Sequence, residues 1–209
     1  MSPRPRETSD AAILMATHRA VSRHGPIKLT LRHVAKEAGV SPATLVQRFG
    51  SKRGLLLAFA SLGSESLGEM FAQVRAGARS PVDALGDVAA CMASLAESPE
   101  ALSNSLAFLQ IDLTDPEFHT HALAHSKGMR AGIRALLDEA VAAGQLDRCD
   151  TALLARGVQV MIGGSLLQWA IDRDGKVAER LREDLDTLLR PRHCRRERRR
   201  RPRLKIRRD

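Results

Sequence analysis

Four residues close together near the start of the chain have side chains that could read DNA bases: Ala43, Thr44, Gln47 and Arg48. A glutamine can bind adenine through two hydrogen bonds, and an arginine can bind guanine or hold a phosphate. The small side chains of alanine and threonine can contact the methyl group of thymine. These residue types, spaced to share one face of a helix, predict contact with the major groove of DNA.

The residues around these four predict the short helices that position them. We expect helices over about residues 31–38 and 42–48, with Gly39 in the left-handed turn between them. Ser41 can cap the second helix and Pro42 can begin it, because the first helical position needs no amide donor. The spacing predicts a helix-turn-helix, whose second helix enters the major groove. An ordinary helical hairpin with a glycine turn is the alternative.

A small apolar interior is predicted between these two helices. Ala35 is small where the helices must cross closely, and Val34, Val40, Leu45 and Phe49 can fill the remaining space. Because these apolar positions lie on one side of the motif, the four candidate base-reading residues are left on the other side.

The whole chain has the composition of an all-α protein. Of its 209 residues 44% are hydrophobic but only 3% are aromatic, and there is no tyrosine, so the core must use aliphatic side chains. Four proline residues follow a capping residue directly, in Ser41-Pro42, Ser80-Pro81, Ser98-Pro99 and Asp115-Pro116, as is typical of helix starts. We expect about nine helices, near residues 9–24, 31–38, 42–48, 52–75, 81–96, 99–112, 116–143, 151–172 and 175–189.

The net charge of +9 is divided unevenly along the chain. Residues 1–58 carry +7, residues 59–189 carry −8, and residues 190–209 carry +10. The last segment is a block of arginine that we interpret as a disordered tail. No apolar run reaches the length of a membrane span, and the opening residues do not resemble a signal peptide, which predicts a cytoplasmic protein.

Residues 29–55, together with the preceding predicted helix Ala12–Gly25, resemble the DNA-binding region of the tetracycline-repressor (TetR) family. The matching residues are Gly25, Thr30, Val34, Ala35, Ala38, Gly39, Val40, Ser41, Thr44, Leu45, Phe49, Ser51, Lys52 and Leu55. The resemblance implies an N-terminal three-helix DNA-binding domain over residues 1–51, a C-terminal helical domain over residues 52–189 for ligand binding and dimerisation, and a homodimer that binds operator DNA.

The motif departs from the family pattern at two positions. Ala43 stands where the family usually has glycine, and Val46 stands where it usually has a tyrosine that contacts the DNA backbone. Phosphate binding is therefore expected from other groups, and the resemblance implies such a contact for Lys52. The complete predicted DNA-binding set is Thr30, Arg32, Ser41, Ala43, Thr44, Gln47, Arg48 and Lys52.

The C-terminal part is expected to hold a dimer interface and a ligand pocket. The predicted interface residues are small or apolar: Gly163, Leu166, Leu167, Ala170, Leu181, Leu185 and Leu188. The predicted ligand-binding residues are Met92, Phe108, Gln110, Asp112, His125, Met129, Met161, Gln168 and Trp169. Packing inside one protomer is the alternative for both sets, because apolar residues at helical spacing also build a core.

The sequence contains no arrangement typical of an enzyme. It has no nucleophile–base set and no phosphate-binding glycine loop, so no cofactor is expected. His121 and His125 lie four residues apart on one predicted helix and could share one ion, which is the alternative. They and His119 form no HExxH motif and have no cysteine near in sequence, so no metal is expected. We therefore expect a repressor that a small apolar or amphipathic effector of unknown identity releases from DNA. The alternative is a sequence-nonspecific nucleic-acid binder driven by the arginine-rich tail.

Overall fold

The computed structural model describes residues 8–94, 96 and 98–190, and these residues form ten α-helices. The helices are α1 (Asp10–Lys28), α2 (Leu31–Ala38), α3 (Pro42–Phe49), α4 (Lys52–Glu65), α5 (Leu67–Gly77), α6 (Pro81–Ser94), α7 (Pro99–Thr114), α8 (Pro116–Ala142), α9 (Thr151–Asp172) and α10 (Val177–Leu189). The all-α prediction is confirmed. The predicted arginine-rich tail lies, beyond Arg190, outside the described residues.

The four helix starts predicted from a capping residue and proline are confirmed. Ser41 Oγ, Ser80 Oγ and Ser98 Oγ each accept a hydrogen bond from the backbone N–H three residues ahead, at 3.0–3.1 Å. Asp115 Oδ1 accepts a bond from the N–H of Glu117 at 3.0 Å. Each bond satisfies one of the backbone donors that a helix start leaves without an intrahelical partner.

One predicted helix is wrong in its extent, because residues 52–75 form two helices that meet at Ser66. The break lies in the segment Gly63-Ser64-Glu65-Ser66, where serine hydroxyls compete with the helix for backbone carbonyl groups. Ser64 Oγ donates to the carbonyl of Ser61, and Ser66 Oγ donates to that of Leu62, both at 2.8 Å. Such local bonds favour departures from regular helix geometry, and the break raises the number of described helices from nine to ten.

The described chain forms two compact units, each with its own interior. The first unit contains the chain up to Glu69, Leu95–Gly128 and Ala170–Arg173. Within it, α1 packs against α2, α4 and α7, and α3 packs against α2 and α4. The buried residues of this core are Ile13, Leu14, Ala20, Val21, Leu29, Val34, Ala35, Leu45, Leu55, Leu56, Phe108 and Phe118. The helix-turn-helix therefore shares one continuous core with α1, α4 and α7.

The second unit contains Met70–Ser94, Met129–Trp169 and the chain from Asp174. In this unit α6 packs against α10, whose Leu181, Leu185 and Leu189 are buried. A cleft of about 430 Å³ lies beside the two helices, and the charged side chains of Arg79, Asp83, Asp87, Arg182 and Asp186 line it. None of the predicted ligand-binding residues lines this cleft.

Among the described residues, no single helix is long and apolar enough to cross a membrane. The consecutive helices α4 and α5 satisfy that criterion only when they are taken together, by length and composition alone.

Candidate nucleic-acid interface

The turn between α2 and α3 has the geometry that the sequence predicts. Gly39 adopts φ 68° and ψ 31°, the left-handed conformation that a residue without Cβ adopts at low cost. The N–H of Val40 bonds to the carbonyl of Ala35 at 3.0 Å and closes the end of α2. Thr30 and His33 cap the start of α2 reciprocally, each side chain accepting a bond from the other's backbone N–H at 3.3 Å.

One face of the motif is buried and fixes the orientation of α3. Val34 and Leu45 have no exposed surface, and Ala35 is 2% exposed. Val40 and Phe49 are partly buried against the same core. Because Leu45 points inward from the middle of α3, the side chains on the opposite side of that helix must face away from the core.

The outward face of α3 presents most of the predicted base-reading residues. Ala43 and Gln47 are exposed, and Val46 is 47% exposed beside them. Thr44 is half-buried, and its hydroxyl forms a hydrogen bond with Ser41 Oγ at 2.9 Å. Ser41, Thr30 and Arg32 are exposed as well. The structure thus brings six of the eight predicted residues to the exposed surface around α2 and α3, with Thr44 only in part.

The two remaining predicted DNA contacts, Arg48 and Lys52, both reach across to α1. Arg48 donates to the backbone carbonyl of Thr8 and forms an ion pair with Asp10 at 3.3 Å. Lys52 Nζ donates to the carbonyl of Ile27 at 3.2 Å. Both cations therefore have partners within the protein before any DNA is bound.

A pair of stacked histidines lies beside the start of α2. The rings of His24 and His33 have centroids 4.2 Å apart and are inclined by 20°. Burial lowers the pKa of His24, and the neighbouring His33 and Arg23 lower that pKa further.

Glu37 forms ion pairs with Arg23 and, at 3.6 Å, with Arg19. These contacts neutralise part of the positive charge that the sequence concentrates in residues 1–58.

Arg53, at the start of α4, has a role that sequence reasoning missed. Its guanidinium binds both carboxylate oxygens of Asp115, at 2.8 and 3.0 Å, and donates to Glu117. It also lies over the ring of Phe118, 5.5 Å from the centroid. These hydrogen bonds raise the pKa of Arg53 and lower the pKa of Asp115. The clamp ties the start of α4 to the start of α8, and no local signal in the sequence pairs residues so far apart.

The predicted ligand-binding residues fall into both units. Phe108, Gln110, Asp112 and His125 lie in the first unit, and Met92, Met129, Met161, Gln168 and Trp169 lie in the second. Phe108 makes edge-to-face contacts with Phe59 and Phe118, with centroids 5.6 and 5.9 Å apart, so it is part of the core. Met129 and Trp169 are also buried, whereas Gln110 and Gln168 are exposed.

Asp112 and His125 are the two ionisable residues of this set. Asp112 is half-buried, and its Oδ1 atom is buried without a hydrogen-bond partner among the described residues. Burial raises the pKa of Asp112 to about 6, against the opposing effect of His125 and His121. The ring Nδ1 of His125 lies 2.9 Å from the carbonyl oxygen of Gly63 and donates to it. No group of three or more potential ligands among the described residues is arranged to hold a metal ion.

The predicted dimer residues divide into exposed and buried members. Gly163 and Leu167 on α9 are exposed, and Leu166, Ala170 and Leu188 are half-buried. Leu181 and Leu185 are 0% and 3% exposed, on the helix that packs against α6. Those two side chains therefore support the fold of one protomer, and α9 carries the exposed part of the set.

Two family models match the chain. The model described as "Bacterial regulatory proteins, tetR family" matches residues 13–59, which contain the helix-turn-helix. The model described as "BetI-type transcriptional repressor, C-terminal" matches residues 85–192, more than half of the chain. The chain belongs to the TetR family. Members of this family are DNA-binding transcriptional regulators and not enzymes, so the chain is a regulator of this kind.

Solved structures of TetR-family regulators share this fold. A TetR transcription regulator from Haloarcula marismortui is 21% identical with a TM-score of 0.67, and the match covers 88% of this chain and 97% of that one. A regulator from a Rhodococcus species is 22% identical with a TM-score of 0.65, covering 86% and 97%. FadR from Bacillus subtilis, solved with stearoyl-CoA, is 18% identical with a TM-score of 0.64, covering 87% and 98%. A comparison with curated proteins gives no match.

Proposed function

We propose that this TetR-family regulator is a homodimeric repressor that binds a palindromic operator and is released by a small apolar or amphipathic ligand. The observation that carries the operator-binding part is the orientation of α3: Leu45 is fully buried, and Gln47 and Ala43 face outward. An exposed helix of this kind, held by a core shared with α1 and α4, suits insertion into the major groove.

Around this helix, the remaining DNA contacts are proposed to be made to phosphate. Thr30 and Arg32 lie at the exposed start of α2, and Lys52 lies at the start of α4 behind its cap Ser51. Hydroxyl groups, cationic side chains and the free N–H groups of helix starts all bind phosphate oxygens. Contacts of this type hold the protein on the duplex without selecting a sequence.

Dimer formation is supported by an apolar stripe on α9. Leu153, Val160 and Leu167 are 60%, 69% and 47% exposed and recur every seven residues, so they lie along one side of the helix. A Cβ atom added at Gly163 or Gly164 would meet nothing within 4 Å, which leaves room for close approach of another helix. A two-fold dimer also explains how a small reading helix acquires useful affinity, because two copies bind half-sites about 34 Å apart.

The dimer proposal can be tested by placing a charge in the stripe. Val160→Arg is expected to convert the protein to monomers in sedimentation experiments, because an unpaired charge in an apolar interface costs several kcal/mol. Leu113→Arg, at a side chain that is 67% exposed on α7, serves as the matched control and should leave the dimer intact. A Val160→Arg protein that remains dimeric would remove this stripe from the interface.

Release by an amphipathic ligand is supported by two similarities and by the composition of the C-terminal part. The matching C-terminal family model is described as that of a repressor, and the structurally similar B. subtilis FadR was solved with stearoyl-CoA, which has a long apolar chain. Adaptable methionines, among them Met92, Met129 and Met161, suit an apolar site. A ligand releases DNA only if it binds more tightly to the form of the dimer that cannot hold the operator.

Footprinting on genomic fragments tests the function directly. A discrete palindromic site protected by the full chain is the expected result. Uniform protection would instead favour the sequence-nonspecific binder driven by the arginine-rich tail, and absence of protection would contradict DNA binding under the conditions used. Deleting residues 190–209 is expected to lower affinity for all DNA and reduce its salt dependence while leaving the choice of site unchanged.

A further inference from the structure

Arg48 is less available to DNA than its position on α3 predicts. Its side chain is only 22% exposed, whereas Gln47, the preceding residue, is exposed. The guanidinium donates to the carbonyl of Thr8 and forms an ion pair with Asp10 Oδ1 at 3.3 Å. These two acceptors flank Ser9, which caps α1 by accepting a bond from the N–H of Ala12 at 3.2 Å. Arg48 therefore holds the start of α1 from both sides of its cap.

The chemistry of these contacts explains why an arginine suits the position. The carbonyl of Thr8 lies outside the helical hydrogen bonds of α1, because the first of these runs from the N–H of Ile13 to the carbonyl of Ser9. Both contacts are made by one nitrogen, Nη1, whose two N–H groups can donate to the carbonyl and to the carboxylate at once. Two-point reading of guanine needs two guanidinium N–H groups directed at the base. A guanine that bound Nη1 would displace Thr8 or Asp10, and the 22% exposure of the Arg48 side chain restricts its reach to DNA.

We propose that Arg48 is a positioning residue, which fixes the first turn of α1 against the recognition helix, and that base reading on α3 falls to Gln47 with Ala43 and Thr44. The proposal rests on the proposed operator binding. It is also consistent with the packing, since α1 contacts α2 and α4 and Ile13, one turn beyond the cap, is fully buried in the shared core.

The three possible roles of Arg48 give different binding signatures. A base reader loses affinity at one base pair when it is removed, and a phosphate contact loses affinity for all sequences and lowers the salt slope by about 1. A positioning residue makes no contact with DNA, so its removal weakens binding to all sequences and leaves the salt slope unchanged.

The test measures the affinity of the full chain for the footprinted operator and its single-base-pair variants, over a range of salt concentrations. Arg48→Ala is expected to weaken binding about tenfold on every variant with the wild-type salt slope. Arg48→Lys should recover part of the loss, because an ammonium can still donate to Thr8 or Asp10. Gln47→Ala is the control for base reading, and Arg32→Ala is the control for phosphate contact.

A double-mutant cycle tests whether Arg48 acts through Asp10. Asp10→Asn is expected to weaken binding less than Arg48→Ala and to add nothing when the two changes are combined, since both remove the same link. Hydrogen exchange should quicken at the amides of the first turn of α1 in both variants and remain unchanged in α2.

The proposal would be overturned if Arg48→Ala weakened binding at only one base pair. It would also be overturned if Arg48→Ala lowered the salt slope and the effects of Arg48→Ala and Asp10→Asn on affinity were independent. If no operator variant is discriminated by the wild-type protein, the proposed operator binding fails instead. In that case, hydrogen exchange and a double-mutant cycle measured by thermal stability still decide whether Arg48 holds the start of α1.

Discussion

At Gly25 both the backbone conformation and a neighbouring side chain disfavour any residue with a Cβ atom. It lies inside α1, just before Pro26, with φ 68° and ψ 158°, a conformation outside the helical region. A Cβ atom at this position would lie 2.6 Å from Asn104 Oδ1 on α7. Asn104 cannot move away freely, because its Nδ2 donates to the carbonyl of Ser22 at 2.7 Å.

The expected cost of Gly25→Ala has two parts. Backbone strain in a region that is essentially restricted to glycine costs about 1–3 kcal/mol. Displacing Asn104 from its bond to Ser22 adds about 1 kcal/mol. The total is therefore about 2–4 kcal/mol. Gly39→Ala is the matched comparison, because Gly39 has a similar φ of 68° but nothing within 4 Å of a Cβ atom. Its expected cost is about 1–2 kcal/mol, that of left-handed helical geometry alone.

Urea unfolding followed by circular dichroism measures both costs on the same protein. Gly25→Ala should destabilise the protein more than Gly39→Ala, and adding Asn104→Ala should make the Gly25→Ala change less costly by removing the clash. The reasoning is refuted if the two glycine variants are equally stable and Asn104→Ala gives no such relief. Loss of DNA binding is expected to follow the loss of stability of Gly25→Ala, because α1 supports the helix-turn-helix.

Three further predictions concern charged groups. Burial raises the pKa of Asp112 to about 6, so its contribution to stability is present below about pH 4 and is lost as the pH rises through about 6. Asp112→Asn should thus stabilise the protein near neutral pH by about 1 kcal/mol, a value that allows for solvent screening of the half-exposed carboxyl. Near pH 4 the same change should have little effect on the free energy of unfolding in urea. Arg53→Ala should raise the pKa of Asp115 towards its ordinary value in an NMR titration, since the bonds from Arg53 lower it. Lys52→Ala should weaken binding to all operator variants equally in salt titrations and lower the salt slope by about 1, and a sequence-dependent loss would contradict a phosphate contact.

Most of the fold could be predicted from local signals. The Ser41-Pro42 start, the left-handed Gly39 and the apolar positions of α2 and α3 depend on residues within a few positions of one another. The same holds for the three other capped starts. The prediction of one helix over residues 52–75 was wrong, because serine side chains near Ser66 bond to nearby carbonyls and the helix is divided there.

The candidate site could be predicted only in its outline. The exposed face of α3 follows from the helical period once Leu45 is known to be buried. The partners of Arg48 and Arg53 could not be predicted, because Thr8 is 40 residues from Arg48 and Asp115 is 62 residues from Arg53. An exposed arginine and one held within the protein have the same local sequence pattern.

The sequence by itself determined the helices, the helix-turn-helix and the division of charge among its segments, because these depend on residue types and short spacings. The tertiary structure decided which side chains are available. It ties Arg48 to α1, pairs Arg53 with Asp115, and buries Leu181 and Leu185 inside one protomer while Leu167 stays exposed. The physical reason is that a side chain's availability depends on the acceptors and apolar surfaces that other helices bring to it, and distant parts of the chain supply these only after folding.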